Sequence, residues 1–223
     1  MQARASTAPP PGRTARAWTP GATVFRWLWR TVWLACLVPL IWLAFCAYAD
    51  RLGANPIEHI TRATGDWTLR LLLVTLAVTP LRQITDWHWL VRLRRLLGLY
   101  AFFYACLHLL TYVWLDQFFD IEGIVKDIIK RPFVTIGFAA FVLMLPLALT
   151  STHGMVRRLG GRAWQRLHKL VYAVGVLGVA HYWWLVKKDL TEPILYAAIL
   201  TLLFGMRLWH ARRLRAHVAA QTA

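Results

Sequence analysis

Residues 164–186 read Trp-Gln-Arg-Leu-His-Lys-Leu-Val-Tyr-Ala-Val-Gly-Val-Leu-Gly-Val-Ala-His-Tyr-Trp-Trp-Leu-Val. No charged residue lies between Lys169 and Lys187, yet a histidine stands near each end of the segment, His168 and His181. A helix over this stretch would place the two imidazoles roughly 20 Å apart along its axis, close to the thickness of a bilayer's apolar core. Histidine is uncommon inside a membrane span unless it has a functional role. The segment therefore predicts a membrane helix whose histidines bind a ligand.

The rest of the chain has the composition of an integral membrane protein. Of its 223 residues, 58% are hydrophobic, and the mean hydropathy is +0.46. Six apolar runs each come close to the roughly 20 residues that a membrane-crossing helix needs, so we expect an all-α membrane protein, a six-transmembrane-helix bundle. The predicted spans are 27–49, 67–85, 95–115, 132–150, 164–186 and 193–210. The predicted parts of the chain are a disordered basic tail (1–23), a transmembrane domain (24–210) and a basic cytoplasmic tail (211–223).

The charged residues are distributed unevenly over the two ends of these spans. Of the 26 Lys and Arg residues, eighteen fall on the side of the N-terminal tail, seven fall on the opposite side, and Arg70 lies within the second span. Nine of the ten acidic residues fall on the opposite side. Because cytoplasmic loops carry the excess of Lys and Arg, both termini are predicted to be cytoplasmic. The net charge of +16 then reflects membrane topology and attraction to anionic lipid, not nucleic-acid binding.

Three prolines lie inside the predicted spans, namely Pro39, Pro80 and Pro146. Proline has no N–H group, so it leaves one carbonyl of its helix without a donor. In a membrane we expect groups from neighbouring helices to satisfy these carbonyls.

Three of the eight histidines, His108, His168 and His181, also lie within predicted spans. Spans three and five run in the same direction, which places His108 and His181 at comparable depths near the outer side. Histidines from facing helices of a bundle are typical ligands of a b-type haem. The chain has no CxxCH motif for c-type attachment and no HExxH motif of a zinc hydrolase. The sequence leaves open which of His168 and His181 pairs with His108.

Arg94 is a further candidate near the inner side. It stands fourteen residues before His108, and this spacing places both on nearly the same helix face, with a phase difference of about 40°. Arg94 should therefore lie at the depth of His168, where it could pair with a haem propionate or occupy the place of a second ligand. One haem or two are both compatible with this pattern.

Several motifs together resemble a known family. They are Arg94-Arg95-Leu96-Leu97-Gly98-Leu99-Tyr100, Leu107-His108-Leu109, Trp164-Gln165-Arg166-Leu167-His168-Lys169-Leu170-Val171-Tyr172 and His181-Tyr182. From about residue 33 to 212 the chain resembles the MsrQ (YedZ) family, the haem-binding membrane subunits of bacterial periplasmic methionine sulfoxide reductase systems. That family belongs to the ferric-reductase-like transmembrane superfamily, which typically has two histidines on each of spans three and five. Here span three has only His108, and Arg94 stands at the other position.

The resemblance implies a multi-pass protein of the bacterial inner membrane that is a non-catalytic electron-transfer subunit. Such a subunit takes electrons from the quinol pool, or from a cytoplasmic flavin donor, and passes them through haem b to a periplasmic molybdopterin reductase, MsrP. It forms a heterodimer with MsrP and supports the repair of oxidised periplasmic proteins. The implied cofactor-binding residues are His108, His168, His181 and Arg94, with the three histidines as iron ligands. FMN is also implied, although no motif here marks a flavin site.

Two other functions remain open at this stage. The first is a ferric-reductase-like or cytochrome-b-like membrane reductase with another electron acceptor. The second is a proton-coupled transporter in which His108 and His181 relay protons, but no Asp or Glu lies in the middle of a predicted span. The chain has no GxGxxG motif and ends thirteen residues after His210, so we expect its electrons to come from another molecule.

Overall fold

The computed structural model describes residues 18–186 and 188–222, and within these ranges the chain forms helices and loops without a strand. Residues 1–17, which are most of the predicted N-terminal tail, lie outside the described residues. The α-helices are α1 (Ala22–Tyr48), α2 (Pro56–Thr85), α3 (Val91–Leu110), α4 (Ile121–Lys130), α5 (Pro132–Leu149), α6 (His153–Leu159), α7 (Gly161–His168), α8 (Leu170–Leu185) and α9 (Thr191–Thr222). The prediction of an all-α protein is confirmed.

Four helical segments are long and apolar enough to cross a membrane, which makes the chain a multi-pass membrane protein. They are Ala22–Tyr48, His88–Asp116, Pro132–Leu149 and Thr191–Gln221, and they correspond to the first, third, fourth and sixth predicted spans. The second of these segments includes a 3₁₀ turn before α3 and a π-helical extension, Thr111–Asp116, after it. The second predicted span lies in α2, a 30-residue helix with charged side chains in its first half.

The fifth predicted span differs from the single helix that we expected. α7 ends at His168 and α8, with 16 residues, begins at Leu170. The Lys169 N–H bonds to the Arg166 carbonyl at 3.2 Å, and the Tyr172 N–H bonds to the Lys169 carbonyl at 3.0 Å. This three-residue spacing is that of a 3₁₀ turn, so the chain tightens where the basic helix α7 meets the apolar helix α8.

The core of the bundle is formed by two helix pairs, because α2 packs most extensively along α3, and α5 along α8. Leu76 on α2, Ala101 on α3 and Val174 on α8 are almost completely buried between them. The helices α3 and α8 carry His108 and His181, respectively. Packing of these two pairs against each other therefore decides where the candidate ligands lie.

A tyrosine hydroxyl from α3 is inserted into the turn of α1 that contains Pro39. The Tyr104 hydroxyl donates to the Cys36 carbonyl at 2.8 Å and accepts a hydrogen bond from the Leu40 N–H at 3.2 Å. In an uninterrupted helix the Leu40 N–H would bond directly to the Cys36 carbonyl. The hydroxyl bridges the two groups, and only 1% of the Tyr104 surface is exposed.

An arginine from α9 satisfies the carbonyl that Pro80 leaves without a donor. Pro80 lies inside α2 and cannot bond to the carbonyl of Leu76, four residues earlier. The Arg207 guanidinium donates to that carbonyl at 2.5 Å, and it also donates to the Tyr172 hydroxyl on α8. The expectation that neighbouring helices satisfy such carbonyls is confirmed at this proline.

Arg70, predicted to lie within the second span, is stabilised by the first turns of α9. Its Nε donates to the Tyr196 hydroxyl at 2.8 Å, and its Nη2 lies 3.7 Å from the Glu192 carboxylate. The guanidinium also lies over the Trp67 ring, 5.3 Å from its centroid. A hydrogen bond, an opposite charge and an aromatic face together lower the cost of this half-buried charge.

Candidate functional site

The structure brings His108 and His181 together. Their ring centroids are 6.1 Å apart, and the ring planes are inclined at 76°. Both side chains are half-buried, one on α3 and the other on α8. The two candidate ligands of similar predicted depth are thus neighbours in the folded chain.

Each of these rings is oriented by a hydrogen bond to the backbone of a neighbouring helix. His108 Nδ1 lies 2.9 Å from the Thr61 carbonyl of α2, and His181 Nδ1 lies 2.7 Å from the Phe133 carbonyl of α5. Because a carbonyl can only accept, Nδ1 carries the hydrogen in both rings, and in neutral imidazole the lone pair is then on Nε2. Neither Nε2 atom has a hydrogen-bond partner in the part of the chain that the structure describes. This is the form in which histidine binds a metal.

The separation of the rings fits one metal atom between them. A histidine nitrogen binds a metal at about 2 Å, so two imidazoles on opposite sides of one atom have centroids about 6 Å apart. The observed 6.1 Å between His108 and His181 agrees with this arrangement. The rings also lie against backbone, because each contacts a glycine of the neighbouring helix, Gly65 on α2 or Gly137 on α5. The residues present therefore fit a haem iron with two histidine ligands.

His168 lies apart from this pair, at the end of α7. Its Nδ1 hydrogen bonds to the Trp164 carbonyl at 3.1 Å, and its ring stacks on the Trp164 indole with centroids 3.8 Å apart. The Trp164 Nε1–H in turn donates to the Thr150 carbonyl, at 2.9 Å, where α5 ends. The His168 Nε2 atom is buried and has no partner among the described residues. His168 is thus fixed in the same tautomer as the other two histidines.

Arg94, the remaining predicted site residue, lies in the first turns of α3 and is half-buried. It is near enough to both His168 and Arg207 for electrostatic interaction. Arg94 and Arg207 thus place two positive charges near the neutral His168 ring at the predicted inner end of the bundle. From the sequence, Arg207 was predicted only to be one of the cytoplasmic charges. The one signal for its role was Pro80, because a proline inside a helix leaves a carbonyl that needs a donor from elsewhere.

Gly65 and Gly137 were also missed by the reasoning from sequence. Each lies four residues after the carbonyl that accepts from a histidine, Thr61 for Gly65 and Phe133 for Gly137. Glycine is common in membrane helices as a packing residue. Composition alone therefore did not distinguish these two from the other glycines.

Comparison with known proteins shows the family to which the chain belongs. Residues 64–179 match the family described as the ferric reductase like transmembrane component. The "Protein-methionine-sulfoxide reductase heme-binding subunit MsrQ" of Herminiimonas arsenicoxydans is 56% identical over 182 residues, which cover 81% of this chain and 84% of the relative. The chain belongs to the MsrQ family.

Two further relatives with the same name support this membership. The protein of Azospira oryzae is 57% identical over 184 residues, covering 82% of this chain and 79% of its own length. The protein of Ralstonia nicotianae is 58% identical over 180 residues, covering 80% and 83%, respectively. No solved structure matches the chain. The resemblance inferred from the motifs around Arg94, His108, His168 and His181 is confirmed at the level of the MsrQ family.

Proposed function

We propose that this chain is an inner-membrane electron-transfer subunit that holds haem b between His108 and His181 and serves a methionine sulfoxide reductase. The observation that carries the proposal is the pair of neighbouring imidazoles, with centroids 6.1 Å apart, whose Nδ1 atoms both bond to backbone carbonyls. The relatives' name, heme-binding subunit of a protein-methionine-sulfoxide reductase, supports the same function. Bound haem supplies an iron that changes its oxidation state by one electron.

In this proposal the chain's own residues hold and tune the cofactor. His108 and His181 offer their Nε2 lone pairs, while the bonds from Nδ1 to the Thr61 and Phe133 carbonyls fix the tautomer and the ring planes. A hydrogen bond at Nδ1 also raises the basicity of a ligating imidazole. The apolar side chains of α2, α3, α5 and α8 exclude water from the space between the helices.

We further propose six spans with both termini in the cytoplasm, so that α2 and α8 also cross the membrane. The distribution of Lys and Arg supports this topology. The 16 residues of α8 extend about 24 Å as a helix, which is less than a typical hydrocarbon core of about 30 Å. The helical turn through Lys169 into α7 adds length on the inner side. Arg70 on α2 has partners on α9, which lowers the cost of its charge near the membrane.

The proposed donor and acceptor sides follow from the same topology. The inner end, with Arg94 and His168, would face a quinol or a cytoplasmic flavin donor. The outer loops, which carry nine of the ten acidic residues, would face the periplasmic molybdopterin reductase MsrP in a heterodimer. FMN is included in this proposal on the family resemblance only.

A second haem at the inner end is a further candidate, because the His168 Nε2 atom is buried without a partner among the described residues. An imidazole with Nδ1 bonded to a carbonyl and Nε2 free is suited to bind a metal. Arg94 is near His168 and would either pair with a propionate or stand in for a second ligand.

The experiment that tests the proposal is a reduced-minus-oxidised visible spectrum of the purified protein, with haem quantified as the pyridine haemochrome. His108→Ala, His168→Ala and His181→Ala are compared with wild type and with His59→Ala, since His59 is an exposed histidine. We expect a b-type spectrum that His108→Ala and His181→Ala abolish and His59→Ala leaves unchanged. Partial loss in each of His108→Ala, His168→Ala and His181→Ala would instead indicate two haems.

Two results would overturn the proposed ligation. One is a colourless wild type expressed with sufficient haem, which would favour a proton-coupled transporter. The other is a full haem content in His108→Ala.

The partner is tested in a separate experiment with vesicles. A quinol should reduce MsrP only when this chain is present in the membrane. Reduction of a different acceptor instead would favour a ferric-reductase-like activity.

A further inference from the structure

The two neighbouring histidines, His108 and His181, are held by the same arrangement on two different helices. His108 and His181 each donate an Nδ1–H to a backbone carbonyl of a neighbouring helix. Four residues beyond that carbonyl the neighbouring helix has a glycine, Gly65 on α2 and Gly137 on α5. Two helices that are distant in sequence thus present the same pair of features, an accepting carbonyl and a glycine one turn later.

Both glycines leave just enough space for the imidazole. A Cβ atom added to Gly65 would lie 3.1 Å from both Cε1 and Nδ1 of His108. A Cβ atom added to Gly137 would lie 2.7 Å from Nδ1 and 2.8 Å from Cε1 of His181. The first contact would require a small displacement of the ring, and the second a larger one.

The direction of a side chain on a helix explains why the spacing is four residues. In an α-helix the carbonyl of one residue points towards the residue four positions later. The Cα–Cβ bond of that later residue tilts back towards the N-terminus of the helix, so its side chain covers the approach to the carbonyl. Glycine at this position leaves the carbonyl of Thr61 or Phe133 open to a ring from another helix.

Other glycines in the helices do not have this relation to a histidine. A Cβ atom on Gly98 would lie 3.6 Å from a methyl group of Thr75, and one on Gly178 would lie 3.5 Å from a methyl group of Leu69. A Cβ atom on Gly205 would have no neighbour within 4 Å. These distances are ordinary van der Waals contacts or open space, so alanine fits at all three positions.

We propose that Gly65 and Gly137 are positioning residues for the haem ligands, because each holds one imidazole in the plane in which Nδ1 reaches its carbonyl. This inference rests on the proposed ligation of haem by His108 and His181. An added methyl group displaces the ring and weakens the Nδ1 bond. The imidazole then donates less electron density to the iron, which destabilises the ferric state and raises the midpoint potential.

The test compares Gly65→Ala and Gly137→Ala with the matched controls Gly98→Ala and Gly205→Ala. Full-length apoprotein is titrated with haem, and the midpoint potential and the EPR g values, which depend on the angle between ligand planes, are measured on the loaded protein. We expect Gly65→Ala and Gly137→Ala to lower haem affinity by about 10- to 100-fold. Loss of a group that hydrogen-bonds to a metal-binding side chain typically has an effect of this size. The haem that remains should have a raised potential and shifted g values, with the larger effect in Gly137→Ala. Both controls should match wild type.

Circular dichroism and size-exclusion chromatography of the apoproteins separate misfolding from loss of the ligand. Alanine is a better helix former than glycine, so these substitutions do not weaken the helix itself. A loss of haem binding in a folded variant therefore reports the contact with the imidazole. If Gly137→Ala does not fold, the test rests on Gly65→Ala, because the added methyl group there would lie 3.1 Å from the His108 ring and should be easier to accommodate.

The inference is overturned if the folded Gly65→Ala and Gly137→Ala proteins match wild type in affinity, potential and g values while His108→Ala loses haem. That result would leave the proposed ligation intact. A full haem content in His108→Ala would instead refute the ligation itself.

Discussion

Replacing Tyr104 by Phe removes one hydroxyl group that bridges the turn around Pro39. The hydroxyl donates to the Cys36 carbonyl at 2.8 Å and accepts from the Leu40 N–H at 3.2 Å, and the side chain is 1% exposed. Water cannot readily replace it at this depth. Two backbone groups of α1 would therefore each lose a hydrogen bond.

The size of the effect follows from these two hydrogen bonds. Hydrogen bonds between membrane helices contribute on average about 0.6 kcal/mol each and at most about 1.7 kcal/mol. A buried group left without a partner costs about 1 to 3 kcal/mol. Because the Leu40 N–H and the Cys36 carbonyl stand four residues apart on one helix and can bond to each other, we expect Tyr104→Phe to lower the free energy of unfolding by about 1 to 2 kcal/mol.

The assay is reversible unfolding of the purified protein in mixed micelles, followed by circular dichroism. Tyr100→Phe is the matched control, since Tyr100 lies one turn earlier on α3, is 9% exposed and has no hydrogen bond through its hydroxyl within the described ranges. A free energy of unfolding for Tyr104→Phe equal to that of Tyr100→Phe would refute the bridging role of the hydroxyl.

Two further changes test the contacts that join distant helices. Arg207→Met should lower the free energy of unfolding by about 1.5 to 3 kcal/mol, because the Leu76 carbonyl loses a charged donor. Arg207→Lys should restore part of this stability. Arg212→Met is the control, because Arg212 is exposed and its replacement should cost little. Equal stability of Arg207→Met and Arg212→Met would contradict the role of Arg207 as the donor to the Leu76 carbonyl. Trp164→Phe keeps a ring to stack on His168 but loses the donor to the Thr150 carbonyl, so we expect a loss of about 0.5 to 1.5 kcal/mol by the same unfolding assay. Trp184→Phe, at an exposed tryptophan, is its control, and a loss of the same size there would show that the Nε1–H bond is not responsible.

The positions of several helices could be predicted because that information is local. A long apolar run must form its hydrogen bonds within itself in a membrane, so it becomes a helix wherever it occurs. The predicted spans 27–49 and 132–150 accordingly coincide closely with Ala22–Tyr48 and Pro132–Leu149. The family could be identified for the same reason, since the motifs around His108 and His168 are short continuous segments.

The interruption at Lys169 could not be predicted from hydropathy. The segment 164–186 contains two histidines thirteen residues apart, which on one ideal helix would be about 140° out of phase. The tight turn puts His168 on α7 and His181 on α8. Its hydrogen bonds depend on backbone geometry that the apolar pattern does not specify.

The sequence by itself determined the helical class and the residue types available to bind haem, and it predicted similar depths for His108 and His181 from the rise per residue along a helix. Only the tertiary structure decided which groups meet. The carbonyl partners of His108 and His181 are 47 and 48 residues away, and the Arg207 guanidinium reaches a carbonyl 131 residues earlier. Such contacts depend on how each helix is rotated about its axis and how closely two backbones approach. Both are set by packing over the whole bundle, and at Gly65 and Gly137 the absence of a side chain leaves the space that an imidazole of another helix occupies.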